Sequence, residues 1–450
     1  MTAGVLIGAF VLAFSRSRDP FHPLLIMVPM LGTLYVYLPL SGLQDGQVFR
    51  YLAPEQMSYT QLLFLLGSTA FCIGCLIATH KRPKQSALFR LPETVRLRLM
   101  IGACLLGFAA FAAWITTLFN AGGFTAAYSK AYGVGTSEYG YVRDAVYWSL
   151  PALVLLITAR LGQRLRIRDA ILIFLFMAPL GVHGLLGARR GPVFMAAVSI
   201  GLSWYMMRYR RPRLVLMLSG GVALGLLMLF LVSNRDNIYL GSEWKLENSP
   251  NRYLKMSTGN EFIYGSAAVL HADRYDRFFW GRRYIAILFI RPIPVQVWPN
   301  KYDAVGMGDL KQNLGIGSKE FRSSVGWAGA GGAAPGLISD LYIEAHWFYV
   351  LPLLVIGWAY GKVWWLATHR GGFSIVLYVL MAALSVFLVM QTLEAMLVRV
   401  LWMGLPSFAV WKWALRTDIT TAGQRVFLMP GRAAKQALTT VDKISAEGLQ

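Results

Sequence analysis

Apolar runs of membrane-spanning length recur along the whole chain, and they constrain its fold more than any other feature. A helix needs about 17–25 predominantly apolar residues to cross the hydrocarbon core of a bilayer. Of the 450 residues, 56% are hydrophobic and only 14% are charged, whereas a soluble domain carries about 25% charged residues. These values exclude a soluble enzyme with one packed core, and they exclude a disordered chain. The sequence predicts a polytopic membrane protein.

The apolar windows predict an all-α helical bundle with about eleven spans. The predicted spans are 3–14, 24–43, 61–79, 99–119, 146–161, 170–187, 193–207, 214–233, 341–361, 373–391 and 400–415. Lysine and arginine gather in alternate connections, at 16–18, 81–98, 164–168, 208–213, 362–370 and 412–443. Because cytoplasmic loops carry the excess of these cations, we expect the N-terminus outside and the C-terminal tail inside.

The stretch 234–340 is the longest segment between predicted spans. It is too polar to cross a membrane, nearly balanced in charge and rich in aromatic residues. Long loops with packing residues of their own are commonly functional. We expect it to form a small extracytoplasmic cap of short helices. The cap would lie between an N-terminal bundle (1–233) and C-terminal membrane helices (341–415), with a cytoplasmic tail (416–450) after them.

The three cysteines, Cys72, Cys75 and Cys104, all lie inside apolar stretches. The spacing of Cys72 and Cys75 matches half of a metal or redox motif, but a second ligand pair is missing from the sequence. We therefore interpret them as small buried residues at a helix contact. Histidines and carboxylates also lack the spacing of a zinc site, so neither a metal nor a cofactor is expected.

Two adjacent arginines, Arg189 and Arg190, occur in the short segment GARRGP between two predicted spans. Arginine at bilayer depth costs about 2.5–3.5 kcal/mol on insertion scales. The two side chains either reach headgroup phosphates or bind an anion presented at the outer membrane surface. Since the planar guanidinium binds phosphate oxygens bidentately, both arginines are candidate ligands of a substrate phosphate.

A second group of cations alternates with aromatic residues between 271 and 302. The segment FIRPIPVQVWPNKY contains Arg291, Trp298 and Lys301, and the upstream segment HADRYDRFFWGRR contains Trp280 and precedes Tyr284. Such alternation can serve single-stranded nucleic acid, but at a membrane surface stacking on sugar rings and pairing with phosphate fit better. A membrane-docking stripe without catalytic residues is the alternative.

A glycine-rich segment (326–336) leads into the span that carries Asp340, Glu344 and His346. The segment is not a dinucleotide-binding fingerprint, because its spacing differs and a strand is not predicted before it. Asp340 and Glu344 are four residues apart, hence on one helical face. Ionisable residues at membrane depth are candidates for function, although acids at a helix N-terminus also complement its dipole. These three residues are the candidate catalytic groups.

The order and sidedness of these segments resemble the Wzy-type oligosaccharide repeat-unit polymerases. GARRGP is similar to the short arginine turn of that family. IRPIPVQVWPNKY resembles its proline–arginine, tryptophan–proline, lysine–proline signature, and GAGGAAPGLISDLY resembles its glycine-rich approach to a span. In this chain Tyr302 follows Lys301, Arg291 precedes the first proline, and Asp340 stands where a glutamate is more usual. The layout covers most of the chain, and the residue-level match covers these segments.

The resemblance implies a fold like the multi-helix glycosyltransferases that use lipid-linked sugars. It implies polymerisation of O-antigen or exopolysaccharide repeat units carried on undecaprenyl diphosphate, by inverting, metal-independent transfer at the periplasmic face of a bacterial inner membrane. The implied partners are lipid-linked donor and acceptor glycans and membrane lipids; a chain-length regulator is a further candidate, and nucleic acid is not expected.

In that mechanism three sets of residues have distinct roles. The departing diphosphate would be bound by cationic side chains, namely Arg189, Arg190, Arg291 and Lys301. The acceptor hydroxyl would lose its proton to Asp340 or, failing that, to Glu344 or His346. The glycan would stack on aromatic side chains, namely Trp280, Tyr284 and Trp298.

Two other functions stay open at this point. An O-antigen ligase would use the same lipid-linked donor, and such enzymes are expected to carry a histidine base near the end of the long loop, which His346 could supply. A transporter or flippase of the same lipids belongs to another class of protein. It would need charged residues along a path through the spans, whereas the charges here gather at one rim.

Overall fold

The computed structural model describes residues 1–44, 46, 48–79, 91–129, 140–187, 189–207, 211–234, 237–242, 261–310 and 334–416. Within these ranges every regular element is helical, so the predicted all-α fold is confirmed for this part of the chain. Several sequence predictions fall outside the described residues. They are the cations at 81–90 and 208–210, the glycines at 329–332, and the tail from 417 onwards.

Sixteen helices follow one another along the described parts of the chain. They are α1 (Thr2–Ser17), α2 (Pro23–Gln44), α3 (Pro54–Ala78), α4 (Glu93–Asn120), α5 (Phe124–Tyr128), α6 (Val142–Ala159), α7 (Ile167–Leu185), α8 (Arg190–Met207), α9 (Leu214–Ser233), α10 (Glu261–Arg274), α11 (Arg282–Ile285), α12 (Lys301–Ala304), α13 (Gly336–Ala345), α14 (Val350–His369), α15 (Phe373–Met390) and α16 (Leu393–Leu415). A π-helical turn lies inside α2, and another follows α11.

In the described residues, nine helical segments are long and apolar enough to cross a membrane. They are α2, α3, α4, α6, α7, α9, the α13–α14 pair, α15 and α16. This composition is compatible with a membrane protein, as the sequence predicts. The expected number of about eleven spans is not confirmed.

Two predicted boundaries differ from the structure. Helix α16 begins at Leu393, well before the predicted span, because the Thr392 hydroxyl accepts a hydrogen bond from the Ala395 amide at 3.2 Å and caps the helix. From the gap between the predicted spans 373–391 and 400–415, the sequence predicts an extracytoplasmic turn around Glu394 to Arg399. This prediction is wrong, because both residues lie in the first two turns of α16. The predicted span 341–361 is divided into α13 and α14 at His346, whose φ of 50° lies in the left-handed region.

Helices α3 and α14 form the most extensive helix pair of the bundle, and small residues bring their backbones together. A Cβ at Gly74 would lie 2.0 Å from the Leu354 carbonyl oxygen, and one at Gly357 would lie 2.1 Å from that of Phe71. Cys75 is fully buried in the same contact. Small residues allow such close approach of membrane helices, so the interpretation of Cys75 as a contact residue is confirmed.

Short helices also occur in the described part of the predicted cap. Helices α10 to α12 enclose a small apolar cluster formed by Ala267, Ala268, Ala272, Phe279, Ala286, Ile290 and Leu310, with Ile343 of α13. Helix α10 packs closely on α13, because a Cβ at Gly265 would lie 2.4 Å from the Pro335 carbonyl oxygen. The Phe279 amide donates to the Ile343 carbonyl at 3.0 Å. The segment between α10 and α12 is thereby fixed against the start of the α13–α14 span.

Helices α15 and α16 form a hairpin whose connection is only two residues long, Gln391 and Thr392. Helix α15 is the most enclosed of the candidate spans, with 78% of its apolar window buried. The end of α15 and the start of α16 lie next to α13, because the Leu393 amide hydrogen-bonds to Asp340. This end of the bundle brings together most of the predicted functional residues.

Candidate functional site

A buried arginine joins the two carboxylates predicted on α13. The Arg283 guanidinium donates through Nε to Glu344 Oε1 and through Nη2 to Asp340 Oδ1. The side chains of all three residues are at most 3% exposed. Because Asp340 and Glu344 lie one helical turn apart on the same face, one guanidinium can reach both.

The remaining carboxylate oxygens are also hydrogen-bonded. Asp340 Oδ2 accepts from the Tyr284 hydroxyl at 2.9 Å and from the Leu393 amide at 3.0 Å. Glu344 Oε2 accepts from the Gly281 amide at 2.8 Å. We call Arg283, Tyr284, Asp340 and Glu344 the ion-pair network. Every carboxylate oxygen of Asp340 and Glu344 accepts at least one hydrogen bond in this network.

The electrostatics of the network keep Arg283 charged and Tyr284 neutral. Burial opposes the charge of Arg283, but the carboxylates of Asp340 and Glu344 outweigh it and raise the pKa of the guanidinium above its usual value. Burial raises the pKa of Tyr284, and the negative charge of Asp340 raises it further. Tyr284 therefore acts as a hydrogen-bond donor to Asp340 rather than as a freely exposed ring.

A second group of arginines consists of Arg143, Arg189 and Arg399, which we call the arginine cluster. Arg189 and Arg399 both lie near Tyr147, while Arg143 interacts with Arg189 and forms an ion pair with Asp144 at 3.3 Å. Arg189 directly precedes α8 and is close enough to Arg143 and Tyr147 to interact electrostatically with both. Burial lowers the pKa of Arg189, and the positive charge of Arg143 lowers it further. Arginine keeps its charge under such conditions because its intrinsic pKa is far above neutral pH.

Arg399 reaches the arginine cluster from the second turn of α16. Its Cζ lies 4.1 Å from the ring centre of Phe387 and 5.7 Å from that of Tyr147. One Nη1 hydrogen bond, at 2.7 Å, goes to the Ala395 carbonyl, while the buried Nε has no hydrogen-bond partner in the described part of the chain. The aromatic faces hold the guanidinium, and its donors are not neutralised by a carboxylate in the described ion pairs.

Glu394 lies in the first turn of α16 and interacts electrostatically with the ion-pair network and with Arg291. Its neighbours in electrostatic range are Asp340, Arg283, Arg291 and Glu344. The Oε2 atom is buried and accepts no hydrogen bond from any residue that the structure describes. A buried oxygen in this state is costly unless a ligand, water or proton satisfies it.

The other predicted diphosphate ligands have different surroundings. Arg190, in the first turn of α8, forms an ion pair with the buried Glu261. The buried Lys301 ammonium donates to the carbonyls of Arg291, at 3.1 Å, and of Ile293. Burial lowers the pKa of Lys301, and the charge of Arg291 contributes to this. In this structure Lys301 holds the backbone of the proline segment, whereas the Arg291 residue is exposed.

His346 lies apart from the ion-pair network, next to Asp273. Its Nε2 is 4.0 Å from Asp273 Oδ1, and its ring centre is 4.3 Å from that of Phe278. Asp273 also accepts a hydrogen bond from the Tyr342 hydroxyl at 2.8 Å. The His346 side chain is 37% exposed, so one face of the ring is accessible.

The predicted glycan-binding aromatics are only partly exposed. Trp280 is 59% exposed and its φ of 52° is in the left-handed region, at the turn before α11. Trp298 is half-buried in the proline segment. Tyr284 is directed to Asp340 by its hydroxyl. Trp280 is therefore the most accessible of the three for stacking on a sugar.

Sequence reasoning did not identify four residues that the structure brings to this end of the bundle: Arg143, Arg283, Glu394 and Arg399. Arg283 was visible as part of a basic segment, but its neighbour Arg282 has the same chemistry and is exposed, paired with Asp309 at 3.0 Å. Glu394 and Arg399 were noted only as part of a turn. Charged residues at the end of an apolar span are the one signal that singles them out.

In the described ranges, groups of three or more His, Cys, Asp or Glu that could hold a metal ion are absent. No protein-family model, curated protein or solved structure matches the chain.

Proposed function

We propose that this protein is a membrane glycosyltransferase that polymerises oligosaccharide repeat units carried on undecaprenyl diphosphate. The proposal combines the resemblance of three sequence segments with the observation that carries it, the arginine cluster. Guanidinium groups from α6, the start of α8 and α16 lie at one end of the helical bundle. There Arg189 and Arg399 share Tyr147 as a neighbour, and Arg143 interacts with Arg189 and with Asp144. A cation cluster of this kind is suited to a diphosphate presented at the membrane surface.

The position of the arginine cluster supports transfer on the extracytoplasmic side. Helix α7 begins next to the cation-rich loop 164–168 and ends close to Arg189. Its 19 residues rise about 28 Å at 1.5 Å per residue, close to the thickness of the hydrocarbon core. Since the cation-rich loops are expected in the cytoplasm, the arginine cluster would lie at the opposite surface. In a bacterium this would be the periplasmic face of the inner membrane.

The reaction would be an inverting displacement at the anomeric carbon of the donor. The acceptor hydroxyl attacks this carbon, and the bond to the lipid diphosphate breaks with its electron pair on the leaving oxygen. The arginine cluster would stabilise the negative charge that gathers there, and Arg291 and Arg190 would contribute from the rim. Groups of this kind act by electrostatic stabilisation of the departing diphosphate in a site partly shielded from water.

The ion-pair network has a different role in this proposal. Breaking a buried ion pair costs about 3–5 kcal/mol, so Asp340 and Glu344 serve best as the counter-ions that hold Arg283 and the cap segment on α13. Trp280 would stack on the sugar rings.

The test is to replace Arg399 with alanine and with lysine, and to express each variant where the native copy has been deleted. Loss of one such donor typically lowers turnover about 10²–10³-fold, so polymer should be reduced to single or few repeat units. Lysine keeps the charge but not the planar fork, and should restore activity only in part. Arg282→Ala is the matched control, because Arg282 is exposed and its ion pair is with Asp309, which is not part of the arginine cluster.

Wild-type polymer length from Arg399→Ala at normal expression would contradict the proposal. The material that accumulates also separates polymerase from its nearest alternative. A lipid core capped with one repeat unit indicates a lost polymerase, whereas intact lipid-linked polymer indicates a lost ligase.

An O-antigen ligase is the second candidate, and the surroundings of His346 favour it. The carboxylate of Asp273 lies beside the imidazole and is itself fixed by Tyr342. A partly exposed histidine with a carboxylate 4.0 Å away is a candidate proton acceptor. A ligase would transfer the finished polymer to a lipid core with this histidine as base.

A further inference from the structure

The carboxylates at this end of the bundle differ in their capacity to accept a proton. Asp340 accepts three hydrogen bonds and Glu344 two, and both are paired with the buried Arg283. Glu261 is paired with Arg190. A proton on any of these groups would have to break an ion pair, which is costly where solvent is excluded.

Glu394 is the exception among the described carboxylates of this group. Its Oε2 is buried and has no donor among the described residues, so protonation of this oxygen would break no existing hydrogen bond. The neighbouring Leu393 amide is hydrogen-bonded to Asp340 at 3.0 Å, which fixes the backbone that carries Glu394. A general base needs an available lone pair on a fixed support.

The same helix carries Glu394 and one member of the arginine cluster, Arg399. Arg399 is five residues further along α16, about 7.5 Å at 1.5 Å per residue. Its side chain folds back toward the helix N-terminus, because Nη1 hydrogen-bonds to the carbonyl of Ala395, the residue after Glu394. A group that can accept a proton and a group that can bind an anion are therefore carried by the same helix, with their backbones about 7.5 Å apart along its axis and about 140° apart around it.

We propose that Glu394 is the proton acceptor of the transfer reaction, an inference that rests on the proposed function. The acceptor hydroxyl oxygen forms a bond to the anomeric carbon as the bond from that carbon to the diphosphate oxygen breaks. The leaving oxygen keeps the electron pair beside the arginine cluster, and the hydroxyl proton passes to Glu394 Oε2. Asp340 and Glu344 are positioning residues in this scheme, since they act through Arg283 and through the start of α16.

The experiment uses the full-length protein in nanodiscs, with lipid-linked repeat units extracted from membranes of a strain deleted for this chain. Glu394→Gln keeps the size of the side chain and removes its basicity. We expect turnover to fall about 10²–10⁴-fold, the usual contribution of a positioned base. Binding of undecaprenyl diphosphate alone should stay within twofold of wild type. Glu93→Gln is the matched control, an exposed acid in the first turn of α4.

Two further readouts separate a base from a structural residue. In the wild type, turnover should decline on the acidic side of the pH profile as the base becomes protonated, and the residual activity of Glu394→Gln should lack that decline. Glu394→Asp keeps a base at a shorter reach, so it should recover part of the turnover and retain the decline at acidic pH.

The outcomes distinguish the inference from its premise. If the wild type polymerises the extracted lipid and Glu394→Gln retains turnover within threefold, or keeps the acidic decline, Glu394 is not the base although the proposed function stands. If the wild type neither binds undecaprenyl diphosphate nor extends the extracted lipid, the proposed function itself is overturned, and the assignment of Glu394 with it.

Discussion

Replacing Arg283 with methionine should strongly destabilise the protein, whereas the same change at its neighbour Arg282 should have little effect. Methionine fills much of the volume of the arginine stem but leaves Asp340 and Glu344 without their cation. Those carboxylates are 0% and 2% exposed. Breaking a buried pair by removing one partner costs about 3–5 kcal/mol. The hydrogen bonds from Tyr284, Leu393 and Gly281 to the two carboxylates persist. We therefore expect the free energy of unfolding to fall by an amount within that range, although two ion pairs are broken.

Arg282 provides the matched comparison. It pairs with Asp309 at 3.0 Å, but the two side chains are 44% and 47% exposed. Exposed pairs contribute about 0–1 kcal/mol because water competes for both charges. The free energy of unfolding can be measured for both variants by equilibrium denaturation in mixed micelles, followed by tryptophan fluorescence.

A triple variant tests the cause of the loss. Arg283→Met combined with Asp340→Asn and Glu344→Gln removes all three charges, so an uncompensated charge is not left in the network. It should recover most of the stability lost in Arg283→Met alone. The reasoning is refuted if Arg283→Met costs no more than Arg282→Met, or if the triple variant is as unstable as the single one.

Two further predictions concern the bundle itself. Gly357→Ala would place a Cβ 2.1 Å from the Phe71 carbonyl oxygen. Helices α3 and α14 must then separate, which should cost about 1–3 kcal/mol or more of the free energy of unfolding. The control in a thermal unfolding experiment is Gly225→Ala, because a Cβ at Gly225 meets open space. Equal unfolding temperatures for the two variants would contradict this close approach. Thr392→Ala removes the cap of α16 and should cost about 1 kcal/mol together with some turnover, which Thr392→Ser should restore; an unchanged midpoint of denaturation would show that the cap is dispensable.

The helices themselves follow from the sequence, but their ends do not. Apolar windows locate the spans because the bilayer imposes a length on each of them. The start of α16 depends on one hydrogen bond, from the Ala395 amide to the Thr392 hydroxyl. Hydropathy averaged over a window of many residues does not reveal a single capping residue. The break at His346 likewise depends on one backbone dihedral angle.

The candidate site is predictable only where it depends on spacing along one helix. Asp340 and Glu344 were expected on one face of a helix, and the structure brings them to the same guanidinium. Their partner Arg283 lies 57 residues before Asp340, and the adjacent Arg282 has identical chemistry. Which of two neighbouring arginines is buried is decided by packing against α13, and the local sequence does not carry that information. The arginine cluster is a similar case, because its members come from distant helices.

The two-residue connection between α15 and α16 restricts how far these two helices can move relative to each other at the candidate site. Phe387, beneath the Arg399 guanidinium, is on α15, while Arg399 and Glu394 are on α16, so a tight hairpin sets the register of all three. Inserting one residue at Gln391 would rotate the first two turns of α16 by about 100°. Glu394 and Arg399 would then both move away from their present neighbours.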